Sequence, residues 1–478
     1  MATRMAGWEL ELTAPERAVW QAFSRRAQVD LGDAEDRVVR AGVIRALLLG
    51  AVPAEPGELA ALTLVGAEIA GRLDLSYAEI PYPVRLSRCD FTDRIELVGA
   101  RTREIDLAGS RLPGIWADKA VVEGNLRLAE VRSGPLHLVA ARIEGALVLD
   151  EAHLVGAPAV EARLLSVGHD IRGEGLSCEG EVRLDNADVR GSVRLLRARL
   201  DNPQGRALAA VDITVGGVFN CCEGFTARGR INLSFADVGS QVCFERASLS
   251  SVAESTLACR QLRTAELVLS TSEPIDGEVD LRHARLGVLR DDPSTWPAKL
   301  RLDGLTYDTI QSPATAAQRL NWLARNRDGY SAQAYEQLAA MYRRRGEEDA
   351  RRAVLLRGQR HRRTGQSRPG RLWGYLQDVT VGYGYRPALA ATWLVALLLL
   401  GTAVFAVAQP VPLDPARPLH FRAPIYTLDL LLPLVDLHQE AAFEPVGATA
   451  WVAYGLIACG WILVTTIAAG TTRVLRRG

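Results

Sequence analysis

Hydrophobic and polar positions along the chain fall into two regimes. From about residue 62 to 310 one short motif recurs with a period of 10 to 11: an apolar pair at i and i+2, a small residue at i+5, and an apolar residue at i+7. Clear copies are Leu73, Leu75, Ala78, Ile80; Val182, Leu184, Ala187, Val189; Val193, Leu195, Ala198, Leu200; Ile231, Leu233, Ala236, Val238; and Val242, Phe244, Ala247, Leu249. Two-residue spacing marks strands with one buried face, and a fixed repeat without long linkers marks stacked coils. The recurring small residue fits a corner that admits nothing larger. Glycines such as Gly71, Gly124 and Gly191 precede the apolar pair, where turns between short strands call for permissive backbone.

The flanks read as helices. Thr13 with Glu16 forms a capping box and Pro15 suits a first turn, which predicts a helix through Trp20. A second helix is expected over residues 34–49, ending at Gly50. Both should cap the first coil, whose core and strand edges would otherwise be open. Past residue 310 the period turns helical over 314–325 and 331–363, with Tyr335, Leu338, Ala339 and Tyr342 at helical spacing, a helix-turn-helix linker.

The repeats resemble those of the pentapeptide-repeat proteins, although many units here carry an eleventh residue. The resemblance implies a right-handed quadrilateral β-helix of about five residues per side and about twenty per coil. The expected fold class is therefore mainly β, a solenoid with an N-terminal helical cap, a helical linker and a C-terminal two-helix transmembrane domain. The corresponding boundaries are 1–55, 56–311, 312–387 and 388–478.

Residues 388–408 and 448–469 are uncharged apolar runs of bilayer-crossing length. A central ionised residue would cost roughly 2.5 to 3.5 kcal/mol on insertion, and neither run has one. Between Arg343 and Arg386 stand 12 arginines against four acids, and Arg473, Arg476 and Arg477 follow the second run. The 409–447 connection holds Arg417 and Arg422 against Asp414, Asp429, Asp436, Glu440 and Glu444. The positive-inside rule then puts both termini in the cytoplasm, on the bacterial cell membrane that the resemblance implies.

After the proline-rich stretch 410–418, residues 425–432 form an apolar run too short to span, followed by Pro433 and the polar Asp436, His438 and Gln439. Span, half-span, polar turn and span is an order that resembles the potassium-channel superfamily. It implies a pore loop of Leu434, Val435, Asp436, Leu437, His438 and Gln439, and a homo-oligomer, tetrameric if it forms a pore. Asp429, Asp436 and Glu440 have two readings: a hydrated loop on the membrane surface, or a ring of carboxylates that concentrates cations. Gly455 and Gly460 are expected packing positions in the second span. Residues 380–384 spell TVGYG, but they precede the first span, so no pore helix and inner helix flank them as a filter requires. The segment is similar to the GYG-x-RP motif of pentapeptide-repeat proteins with two-helix channel-like domains. That similarity implies an interfacial belt of Trp373, Tyr375, Tyr383 and Tyr385 beside Arg386.

Charge and chemistry change this picture little. The 56 basic and 56 acidic residues balance, which gives no whole-chain reason to expect a nucleic-acid partner; the expected partners are the lipid bilayer and a protein on the solenoid face. All basic residues but Lys119 and Lys299 are arginine, the bias of a GC-rich genome. Seven scattered cysteines do not make a secreted disulfide framework, and residues 1–12 show no signal peptide, so a reduced compartment is expected. Cys221 and Cys222 lie about one coil before Cys243, as structural cysteines or as a stacked thiol pair. No zinc-finger spacing, HExxH, phosphate-binding loop or dinucleotide fingerprint occurs, and no cofactor is expected. Proteins of this architecture also carry the label membrane-associated oxidoreductase, which enters here by resemblance alone. The functional expectation is a membrane-anchored interaction or sensor module, with a cation channel and an oxidoreductase as alternatives.

Overall fold

A computed structural model describes residues 12–52, 59–252, 255–364, 367–381, 383, 387–413, 420–432 and 435–475. The chain divides into two units, residues 1–337 and 338–478.

In the first unit the repeats wind into a β-solenoid whose short strands stack, coil on coil, into two long parallel sheets. Most coils contribute four strands, many only two residues long, and successive coils align about 21 residues apart. One inward ladder runs Leu73, Ile95, Ile115, Leu136, Val160 and Val182. It continues through Leu208, Ile231, Leu257, Val279 and Leu300. All of these side chains are buried. Each contributes about 1.5 to 3 kcal/mol by leaving water, and neighbouring residues point outward because strand side chains alternate. The apolar pair and the small residue of the repeat are thus the inward face and the corner of a coil.

The turns differ from expectation. The left-handed position often falls just before the small corner residue, and side chains other than glycine mostly fill it: Tyr77, Lys119, Glu151, Asn186, Arg197 and Phe235 all have φ between 54° and 65°. Each costs roughly 1–2 kcal/mol, and the next coil holds it there. Lys119 donates its N–H to the Val139 carbonyl at 2.8 Å, and Ala120 closes the turn onto Ala117 at 3.1 Å. Gly124 has another role, since a Cβ there would sit 2.8 Å from the Arg103 carbonyl oxygen of the previous coil. Gly71, at φ +86°, is a true turn glycine.

Helix α1 (Ala14–Phe23) carries the expected capping box at Thr13 and Glu16. Glu16 is fully buried and also accepts the Arg40 backbone N–H at 3.1 Å and the Arg40 guanidinium at 2.7 Å. Burial opposes the charge, but the bonds from Arg40 and Thr13 outweigh it and hold the carboxyl at about 2. The helix expected over residues 34–49 is shorter: α2 spans Ala41–Leu48, and Val38–Arg40 forms a strand paired with Glu68–Ala70. Two β-branched valines there extend a sheet and bury Val39, which helical backbone would not do.

At the other end of the solenoid, α3 (Ala316–Ala324) starts on a Thr315–Gln318 capping box. Its Arg319 is 2 % exposed, forms two 2.7 Å bonds to the Asp291 carboxylate, and stacks 4.7 Å and 5.0 Å from the Trp296 and Trp322 ring centres. On α4 (Ala332–Arg344), the Gln333 and Gln337 side chains donate to the Leu305 and Tyr307 carbonyls at 2.7 and 2.6 Å, covering part of the last edge. The segment expected over 331–363 is two helices, because Gly346 at φ +73° ends α4 before α5 (Glu348–Thr364) begins.

The second unit continues with α6 (Arg368–Val381), α7 (Pro387–Val407), α8 (Ala423–Leu431) and α9 (Ala448–Leu475). Asp378 on α6 receives both Arg360 and Arg363 of α5, at 2.8 and 3.3 Å.

Candidate functional site

The connection between α7 and α9 gathers the residues with functional potential. One stretch of α9, Ala448–Thr465, has a mean hydropathy of 1.6 and is long and apolar enough to cross a membrane; α7 contributes the shorter apolar stretch Ala391–Val407. Between them α8 packs on both helices around Phe405, Tyr426, Leu430, Leu431 and Leu456. Glycines permit that approach. A Cβ on Gly401 would lie 2.3 Å from the Thr427 methyl, and one on Gly460 would lie 2.4 Å from the Leu431 carbonyl oxygen. Gly460 therefore packs as expected, whereas Gly455 faces open space.

The chain after α8 folds back onto Asp429. Its carboxylate is 4 % exposed and accepts three backbone N–H groups: Leu437 at 2.7 Å, Gln439 at 2.9 Å and Glu440 at 2.8 Å. Bonds of this kind to an ionised acceptor are roughly twice as strong as neutral ones, so a single side chain fixes the path of the polar turn. Gln439 is buried beside it and donates to the His420 carbonyl at 3.5 Å. An antiparallel pair, Val411–Pro412 with Phe443–Glu444, closes the base of the connection.

Of the expected pore-loop residues, Leu434 lies outside the described residues, as does Pro433. Val435, Asp436 and His438 are exposed; Asp436 accepts the His438 backbone N–H at 2.8 Å, and His438 Nδ1 lies 3.2 Å from the same carboxylate, open to solvent. Leu437 is half-buried and Gln439 is buried. The three carboxylates of the expected ring therefore part company: Asp429 is enclosed and saturated with donors, while Asp436 and Glu440 face outward. Of the expected interfacial residues, Tyr385 and Arg386 lie outside the described residues, Trp373 and Tyr375 are on α6, and Tyr383 follows it half-buried. Thr380 and Val381 of the TVGYG run complete α6, so their backbone is helical rather than an extended row of filter carbonyls.

Of the two adjacent cysteines, the structure pairs one with the next coil. Cys222, not Cys221, stacks on Cys243, and the two form a disulfide with a Cα–Cα distance of 5.9 Å. Alternation decides this: Cys221 points into the core, and its neighbour points to the side where Cys243 and Val268 lie. Burial raises the thiols of Cys89 to about 11 and Cys178 to about 12, and raises Cys221 and Cys259 too, which leaves them poor nucleophiles. Among the described residues no three His, Cys, Asp or Glu side chains are grouped to hold a metal ion. No protein-family model, curated protein or solved structure matches this chain.

Proposed function

We propose that this chain is a membrane-anchored interaction module: a right-handed, four-sided β-solenoid on the cytoplasmic side, carried by two bilayer-spanning helices, α7 and α9. The observation that carries this reading is the inverted surface of the second unit. Large apolar side chains stand exposed along both helices, with Leu399 65 %, Val407 90 % and Trp451 79 % accessible, while Thr427, Asp429 and Gln439 are enclosed. In water each exposed leucine of this kind forfeits about 25 cal/mol per Å2 of apolar area, whereas lipid chains cover it without loss. With about 1.5 Å of rise per residue, the 21-residue α7 and 28-residue α9 are both long enough for a core about 30 Å thick. The arginine excess before α7 and after α9 supports cytoplasmic ends.

The anchor reading is preferred over a conducting pore because of Asp429. A carboxylate holding three backbone donors stabilises a fold and is not free to coordinate a passing cation. No redox cofactor chemistry is proposed.

Topology is testable with single cysteines in the full chain. A membrane-impermeant maleimide added to intact cells should label Glu444→Cys in the α7–α9 connection, and should label Arg111→Cys on the solenoid only after permeabilisation. Labelling of Arg111→Cys in intact cells would overturn the proposed orientation.

A further inference from the structure

Ion pairs lace much of the solenoid surface. On the outward side of the longer sheet, arginines close on nearby acids: Arg85 with Asp106 at 3.3 Å, Arg194 with Asp170 at 3.4 Å and Arg290 with Glu266 at 2.7 Å. A neighbouring column of that sheet holds Thr214, Asp237, Arg263 and Arg285 in register on successive coils. Among the described residues, neither Asp237 nor the two arginines forms an ion pair.

This column lines a groove of about 520 Å3. The other wall is the left-handed turn column, with Asp212, Phe235, Gln261 and His283. The charges are sorted along the groove. Asp212 and Asp237 lie towards one end, and Arg263, Arg285 and His283 towards the other. Phe235, 41 % exposed between them, holds a left-handed backbone that a bulky residue rarely adopts, and Arg260 backs its ring at 5.2 Å. The ends are shaped as well. Asn186 donates to Asp212 at 3.0 Å, and the absence of a Cβ at Gly304 makes room for His283, whose Nδ1 would lie 2.1 Å from one.

We propose that this groove binds a short zwitterionic peptide, with its ammonium group at Asp212 and Asp237 and its carboxylate at Arg263 and Arg285. Arg263 and Arg285 are opposed in register on adjacent coils and repel when the groove is empty; a ligand carboxylate relieves them while its ammonium group meets the two acids. Length selects the ligand. Coils are about 4.8 Å apart, so the two charge pairs are separated by roughly 10 Å, the reach of about three extended residues. Phe235 supplies an apolar wall for a side chain between the two ends. The inference concerns the solenoid alone and does not depend on the membrane reading.

Saturation-transfer NMR on the full chain in detergent tests it, with trialanine as the probe. Transfer to the alanine methyl groups is expected. It should fall to background for N-acetyl-trialanine amide, which has neither terminal charge. The pairs Arg263→Gln/Arg285→Gln and Asp212→Asn/Asp237→Asn should each weaken binding roughly tenfold or more. All four side chains are exposed, so the circular dichroism spectrum should be unchanged. No transfer from trialanine at millimolar concentration, or equal transfer from the blocked peptide, overturns the proposal without calling on any variant.

Discussion

In the solenoid Leu257, Val279 and Leu300 point inward and pairs such as Arg228–Asp201 ride outside; in the second unit Leu399, Leu400 and Trp451 face outward and Asp429, Thr427 and Gln439 are enclosed. One chain thus follows two opposite partition rules. On the proposed membrane reading, both regions minimise the same quantity, unpaired polar groups and uncovered apolar area, against different solvents. The difference teaches that burial of a side chain states what surrounds it. An apolar ladder inside a coil fits water outside, and large apolar side chains exposed on a helical hairpin fit the lipid proposed around it.

The sharpest way to break the comparison is to place an arginine in each region. Leu267→Arg, at a fully buried rung, should prevent the solenoid from folding, since an unpaired charge in the core costs more than about 5 kcal/mol. Leu400→Arg, at a site 59 % exposed, should cost roughly 2.5 to 3.5 kcal/mol of membrane insertion. An ordinary water-facing position would shift stability by no more than about 0.5 kcal/mol. The fraction of chain recovered in the membrane pellet distinguishes these outcomes.

Within the solenoid, the next largest effect belongs to the buried ion pair at its C-terminal end. Arg319→Ala leaves Asp291 charged and enclosed and should cost about 3 to 5 kcal/mol, read as a lower urea midpoint. Replacing both partners with apolar residues of similar volume should restore much of the loss, which would mark the pair as a specificity device rather than a source of stability.

The N-terminal end gives the smaller, pH-dependent counterpart. The folded carboxyl of Glu16 titrates at about 2, below its ordinary 4.5. The stabilisation is therefore fully present above about pH 4.5 and is lost as pH falls towards 2, roughly 3 kcal/mol in all. Urea midpoints of wild type and Glu16→Gln should converge on acidification from pH 6 to pH 3. Parallel curves would show that Glu16 contributes no such linkage.

The solenoid was legible because its repeat samples one geometric constraint many times over. The apolar pair and the corner residue need only be apolar and small, and both signals survive degeneracy. What stayed hidden was set by contacts far apart in sequence. Arg319 looks like any linker arginine until Asp291, Trp296 and Trp322 are brought around it. Val38 and Val39 sit in a helix-compatible run, and their pairing with Glu68 and Ile69 overrides it. The cysteine pairing turned on a one-residue phase, which in a strand is the difference between core and outer face. Asp429 carried a partial signal, a carboxylate in an apolar half-span. Its three donors come from the turn that follows, and residue types do not fix that path.

The central claim is that lipid covers the second unit and water covers the first. Tryptophan quenching by brominated phospholipids in proteoliposomes tests it most directly, because Trp393, Trp451 and Trp461 are exposed on α7 and α9 while Trp296 and Trp322 are buried in the solenoid unit. Bromine in the acyl chains should quench part of the emission, and replacing those three residues with Phe should remove that part. Emission that is indifferent to bromination, from a chain that stays dispersed without detergent, would contradict the account.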